Sequence, residues 1–324
     1  MNMKLIRKIS GILIVSAIIS TNLNAQTRSD VIAAYNEGAK TVQTDVKAAI
    51  DAFERAIALA DKVGAEAADL KEKAIKVLPG LYIKVAADAI NEKKPLPEIM
   101  KAAKSAVAAT EKYGSQSQKD NAARIMVQAY NMLATDYFNK NDLDNAMLTF
   151  DSLLAINPDY INAIYNKALI YLQQNNADAF EQTIDIVIEK LKSANDTAKV
   201  KQISLQALEY FRSAGSMANQ AEKLDEALTL LNKAAKYGDD KDLFYYFSDV
   251  YNKQKNFSKG EEYARRGLAL ETGAPEAKAK FYFQIGLAQA GKGQTAEACA
   301  SFKNAMFGPF AEPSKAMRTN LKCQ

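Results

Sequence analysis

Apolar side chains recur every three or four residues over most of this sequence, and short polar turns interrupt them. The clearest stretch runs from Tyr130 to Pro158. Tyr130, Leu133, Ala134 and Tyr137 fall on one helical face, and the polar segment from Asn139 to Asp144 makes a turn. Ala146, Phe150 and Leu153 then form a second apolar face, which Asn157 and Pro158 stop. The spacing predicts two amphipathic helices joined as a hairpin. Further pairs follow in the same order. Ile164, Ala168 and Tyr171 precede Phe180, Ile184, Val187 and Leu191; Phe211, Ala214, Gly215 and Ala218 precede Ala227, Leu231 and Ala234. Phe244, Phe247, Ser248 and Tyr251 precede Gly260, Ala264 and Gly267; Tyr282, Ile285, Gly286 and Gln289 precede Ala298, Phe302 and Ala305.

Upstream the pattern is looser. Residues 28–63 read as a first helix pair, with Ala34, Gly38 and Val42 on one face, Ala49, Phe53 and Ala56 on the other, and Gly64 as the stop. A helical pattern from Leu70 to Ile90 contains Pro79-Gly80, where a kink or break is expected. Residues 91–97 read as a loop, and a helix carrying Ile99, Ala102, Ala106 and Ala109 follows, ending at Tyr113-Gly114. Ser115 to Lys119 reads as a polar connector. Near the other end, Ser314 is expected to cap a last helix reaching Lys322. Ala316, Met317 and Leu321 would cover the preceding pair, and Lys315, Arg318 and Lys322 would face water.

The residues between Tyr130 and Pro158 resemble the tetratricopeptide pattern W-x2-L-G-x2-Y…A-x3-F…P, with Tyr130 for Trp and Ala134 for Gly. The resemblance implies an all-α fold: an α-solenoid of stacked antiparallel helix pairs in a right-handed superhelix, closed by a C-terminal capping helix. On this reading residues 26–114 are degenerate N-terminal helical repeats, 115–310 the array and 311–324 the cap. The resemblance also implies a concave groove lined by the first helix of each pair. Asn131, Phe138, Tyr165, Arg212, Tyr245, Asn252 and Phe283 are its candidate lining, accompanied by Asn162 and Asp249. Aromatic rings among amides suit a peptide or partner helix. The competing reading is that Tyr165 and Phe283 pack against the next repeat. Arg212 and Lys280 are isolated cations there and do not complete the carboxylate clamp of chaperone-binding family members.

Residues 1–25 carry Lys4, Arg7 and Lys8, an apolar run from Ile9 to Ile19 and a small residue at Ala25. This predicts a secretory signal peptide cleaved after Ala25, with no transmembrane span once it is removed, and a periplasmic location. The apolar run is shorter than the roughly 20 residues a span requires. Without those residues the 42 basic side chains fall to 39, against 38 acidic ones. So near-neutral a chain is not expected to bind nucleic acid.

Composition narrows the chemistry. There is no His among 324 residues, which excludes His-based triads, His-ligated metal and a histidine switch. The glycines of Ile285-to-Gln294 lack a phosphate-loop pattern, because Gly293 follows Lys292. No catalytic residue, cofactor or metal site is expected. The two cysteines, Cys299 and Cys323, leave two readings open. Export permits a disulfide that staples the last helix to the array; alternatively Cys299 is buried and Cys323 free. The function that best fits is a non-catalytic scaffold for a protein or peptide in the cell envelope. A groove-type carrier or receptor for a small ligand or glycan is the alternative, and self-association of the array is a further one.

Overall fold

The computed structural model describes residues 26–324, so the signal-peptide reading lies outside the described residues. Among the described residues there is no strand. The chain forms two compact units that divide between Met132 and Leu133.

The first unit contains α1 (Arg28–Thr41), α2 (Val46–Val63), α3 (Ala68–Asn91), α4 (Leu96–Tyr113) and the start of α5 (Gln116–Asn139). Local chemistry sets the helix ends. Asp45 caps α2 by accepting from the Ala48 N–H at 3.0 Å, and Gly64, at φ +83°, ends it. Gly38 lets α1 approach Phe53: a methyl there would lie 3.0 Å from the Phe53 ring.

Four local expectations for this unit change. No break occurs at Pro79, because α3 runs through it. A proline inside a helix costs about 3 kcal/mol. Burial of Leu78, Pro79 and Leu81 in α3, which packs against both α2 and α4, offsets that cost. The loop before α4 is shorter than expected, since Pro97 sits in the first turn of α4, where a missing N–H leaves no bond unmade. The inner face of α4 is set by Ile99, Ala103 and Ala106, all fully buried, rather than by Ala102. Ser115 to Lys119 is the beginning of α5, not a connector. The Ser115 N–H donates to the Gln118 side chain at 2.9 Å, an arrangement that starts a helix.

The second unit contains the rest of α5, then α6 (Leu143–Ile156), α7 (Ile161–Gln173), α8 (Ala177–Ser193), α9 (Thr197–Gln220) and α10 (Leu224–Ala235). It continues with α11 (Lys241–Lys253), α12 (Phe257–Leu270), α13 (Pro275–Gly291), α14 (Thr295–Asn304) and α15 (Ala311–Asn320). Four of the turns share one device. A residue with positive φ (Asn141, Asn175, Asn195 or Lys255) reverses the chain, and the next residue (Asp142, Asn176, Asp196 or Asn256) caps the following helix with its side chain.

The helix pairs also share one spacing. Ala134 is followed twelve residues later by Ala146, Gly215 by Ala227, Ser248 by Gly260 and Gly286 by Ala298. All eight positions are buried. A methyl on Gly215 would lie 2.8 Å from Leu231, and one on Gly286 2.8 Å from Phe302. The small residues thus let large neighbours fill the gap beside the contact. In the pair α7–α8 the second small position is Phe180. Its ring reaches α9 instead, 4.9 Å from Tyr210 and 5.6 Å from Phe211. A continuous apolar core runs from Ile164 through Phe180, Phe211 and Leu231 to Phe247. The second unit is therefore an all-α stack of helix pairs.

The last helix differs from its expected form. It starts at Ala311, so Ser314 lies inside it, fully buried, and is not its cap. Pro313 is tolerated there because N–H groups in a first turn have no helical partner. Ala316 is exposed rather than packed. Arg318 does not simply face water: its guanidinium donates to the Cys299 carbonyl at 2.6 Å and to the Gln324 carbonyl at 3.0 Å. Cys299 and Cys323 are disulfide-bonded, with Cα atoms 5.6 Å apart.

Two outcomes follow from this packing. Gly260→Ala places a methyl inside the contact distance of the buried Asn252 amide. It should lower stability by about 2–3 kcal/mol in urea unfolding; an unchanged midpoint would mean that α11 and α12 are not this close. Reduction of Cys299–Cys323 should release α15 from α14. Hydrogen exchange should rise in residues 311–324 while α5 to α13 keep their protection, and uniform loss of protection would contradict a purely local staple.

Candidate functional site

Three first helices of the second unit, α9, α11 and α13, pack side by side. Their shared face carries a polar network centred on Asp249 of α11. The carboxylate accepts from Asn219 Nδ2 of α9 at 2.6 Å and from Gln284 Nε2 of α13 at 2.8 Å, and pairs with Lys253 at 3.2 Å. Lys253 also donates to Asn219 Oδ1 at 2.9 Å. Asn252 completes the chain by donating to the Gln284 side-chain oxygen at 2.8 Å and to its backbone carbonyl at 3.0 Å. Apart from the Asp249–Lys253 pair, which lies within α11, each bond joins neighbouring repeats, so the network fixes the register of three first helices.

Tyr245 lies half-buried beside this network. Its ring meets Tyr246 edge-on at 5.4 Å and Phe281 at 6.2 Å, and Lys280 Nζ sits 5.3 Å from its centre. Lys280 is in turn paired with Asp242 at 2.5 Å. Burial, and then the Asp249 carboxylate, push the Tyr245 phenol above its ordinary value, although a hydrogen bond with Gln284 acts the other way. The phenol therefore stays protonated at neutral pH.

The Asp249 carboxylate thus gathers three donors from two neighbouring helices and its own. Among the described residues no group of three or more Cys, Asp or Glu side chains could hold a metal ion.

The structure places the sequence-derived candidates differently. Tyr245 lies on this face. Asn252 is buried, with its amide committed to Gln284 and its oxygen turned toward Gly260. Arg212 is ion-paired with Asp240 at a half-buried position. Tyr165 donates its hydroxyl to Gln206 of α9 at 2.9 Å. Phe283 packs against Phe302 at 5.6 Å and Phe310 at 5.5 Å. Phe138 is partly exposed on the last turns of α5, and Asn131 belongs to the first unit. Asn219, Lys253 and Gln284 were missed. Their signal was polar side chains inside apolar segments, as with Asn219 after Ala218 and Gln284 between Phe283 and Ile285.

Asp249→Ala should strip Asn219, Gln284 and Lys253 of their shared acceptor and cost about 1–3 kcal/mol in urea unfolding. Asp249→Asn, which keeps one acceptor oxygen, should cost less. Equal stability of all three proteins would show that the network is not formed in solution.

Residues 127–160 match the family profile described as tetratricopeptide repeat. No curated protein matches the sequence. Among solved structures, a tetratricopeptide repeat protein from Parabacteroides merdae is 16% identical with a TM-score of 0.30, the match covering 91% of this chain and 99% of that one. MamA is 20% identical with a TM-score of 0.31, over 61% of this chain and 96% of its own. YrrB, described as a TPR protein with an unusual peptide-binding site, is 14% identical with a TM-score of 0.33, over 60% and 91% respectively.

Proposed function

We propose that the chain is a tetratricopeptide-repeat protein that works as an exported, non-catalytic scaffold, holding a protein or peptide partner on the face formed by α9, α11 and α13. The observation that carries this reading is the cross-repeat network around Asp249. It pre-orders the face before any partner arrives, which lowers the entropic cost of binding. Tyr245, Lys253 and Lys280 then present a ring and two cations from fixed positions. Tyrosine supplies a large contact area with few rotatable bonds, and buried aromatic anchors tend to dominate interface energetics. Every acid in the network already has partners, so the ring is the natural anchor and the charged groups set orientation.

Two features support export. The first 25 residues have the order of a signal peptide. The Cys299–Cys323 bond suits an oxidising compartment such as the periplasm. Sequencing of the exported protein should begin at Gln26; an intact Met1 would overturn this part of the reading.

A photo-crosslinking side chain introduced in place of Lys253 tests the scaffold role in living cells. It should give one discrete heavier species containing a second protein, and Tyr245→Ala should abolish it while leaving the melting temperature within a few degrees. The same group in place of Arg265 on α12 should give none. Equal adducts from both positions, or none from Lys253, would reject this face as the binding surface.

A further inference from the structure

The first unit contains a cavity of about 400 Å³ that the scaffold reading does not use. Its origin is geometric. Both α2 and α4 pack against α3, and the α4 wall above α3 is built from Ser105, Ala108 and Ala109. Side chains this small leave the wedge between α2 and α4 unfilled. The apolar lining is Ala58 of α2 and Ala108 and Ala109 of α4 at the walls, with the buried Ile57 of α2 and Leu78 of α3 as its floor. Such a lining suits a short aliphatic stem rather than a fully hydrated ion.

The polar groups around this lining carry both signs. Glu54 and Asp61 of α2 contribute two carboxylates, and Lys112 of α4 contributes one ammonium. The Glu54 carboxylate is held in place: Tyr82 donates its hydroxyl to Oε1 at 2.6 Å. Its other oxygen, Oε2, accepts no hydrogen bond among the described residues. Burial, and then Glu54 itself, raise the Tyr82 phenol, so that donor stays in place at physiological pH. Asp61 already holds Lys71 at 2.5 Å, which leaves Glu54 as the acceptor with spare capacity. On the opposite wall Lys112 Nζ lies 4.8 Å from the centre of the Tyr113 ring. The chain's own ammonium thus already occupies an aromatic wall beside two acids, the environment in which cations are recognised.

We propose that this cavity binds an organic cation, an alkylammonium or alkylguanidinium group on a short aliphatic stem. The stem lies on Ile57 and Leu78, and the cationic head meets Glu54 Oε2 in competition with Lys112. An anion would face two carboxylates. A neutral sugar would find few open partners, because Tyr82 and Asp61 are already engaged. This site stands apart from the scaffold reading, since its residues all belong to the first unit.

Calorimetric titration of the folded chain with n-butylguanidinium and n-pentylammonium tests it, with n-butylurea and n-pentanol as neutral counterparts. The cations should bind saturably with dissociation constants below about 1 mM, and the neutral molecules should bind at least about tenfold more weakly. Glu54→Gln should weaken cation binding about tenfold. Lys112→Met should tighten it several-fold, a gain that a merely structural role for Lys112 would not produce. Should Glu54→Gln fail to fold, the cation–neutral comparison on the unaltered chain and the sign of the Lys112→Met effect still decide. Equal binding of butylurea, weaker binding after Lys112→Met, or no saturable binding up to about 10 mM would overturn the proposal. An alanine peptide with a single arginine, set against its citrulline twin, identifies the source. Binding of the arginine peptide points to a side chain of a partner, and binding of the free amines alone points to a small metabolite.

Discussion

Where Ser248 of α11 meets α12, its hydroxyl donates to the Gly260 carbonyl at 2.7 Å, and a methyl on Gly260 would collide with the Asn252 side chain. The same constraint recurs wherever a small residue in a first helix is matched twelve residues later by another. Two small side chains bring the axes close, and large rings such as Phe302 then fill the space beside the contact. A single pair cannot bury both of its faces, so the next pair must cover it. The continuous core from Ile164 to Tyr251 is the outcome. Phe180 shows how the rule bends. A ring replaces the small residue, and the space it needs is shared with Tyr210 and Phe211 of the following helix.

Close approach also explains the unusual chemistry of Asn252. Its oxygen is buried without a conventional donor, which ordinarily costs about 1–3 kcal/mol. It points at Gly260, where any side chain would collide with it. Its nitrogen makes two bonds to Gln284, so the amide cannot turn round without setting oxygen against oxygen. The residue is thus a structural rivet between α11, α12 and α13. It holds Gln284 toward Asp249 and so supports the face on which Tyr245 sits.

Much of the fold was legible because helical spacing and small residues are local signals. Ala146, Phe150 and Leu153 were read as a buried face, and each is fully buried. What escaped was decided by residues far away in sequence. Pro79 was read as the place of a kink or a break, and packing on both sides carries α3 through it unbroken. Ser314 looked like a cap because serine favours that position, but the helix had already begun at Ala311. The face was harder still. Alternation places Asn252 and Arg212 among the first-helix residues but cannot say that one pairs with Gln284, thirty-two residues on, and the other with Asp240. Asn219, Lys253 and Gln284 gain meaning only once three helices stand side by side.

The last helix makes a different argument about what holds a repeat protein together. Inside the array each helix is fixed by several buried apolar residues, whereas α15 buries only Ser314. Apolar burial at roughly 25 cal/mol per Å² therefore contributes little to its docking. What remains is polar and covalent: Arg318 bonded to the Cys299 carbonyl, and the disulfide from Cys299 to Cys323. A crosslink closing a loop of this length stabilises by about 3 kcal/mol, comparable to burying one large side chain. The covalent bond thus stands in for the missing core. Since such a bond persists only where thiols are oxidised, the docking of α15 depends on the redox state of its surroundings. A chain kept in a reducing compartment would leave α13 and α14 covered by a helix with almost nothing apolar to hold it there.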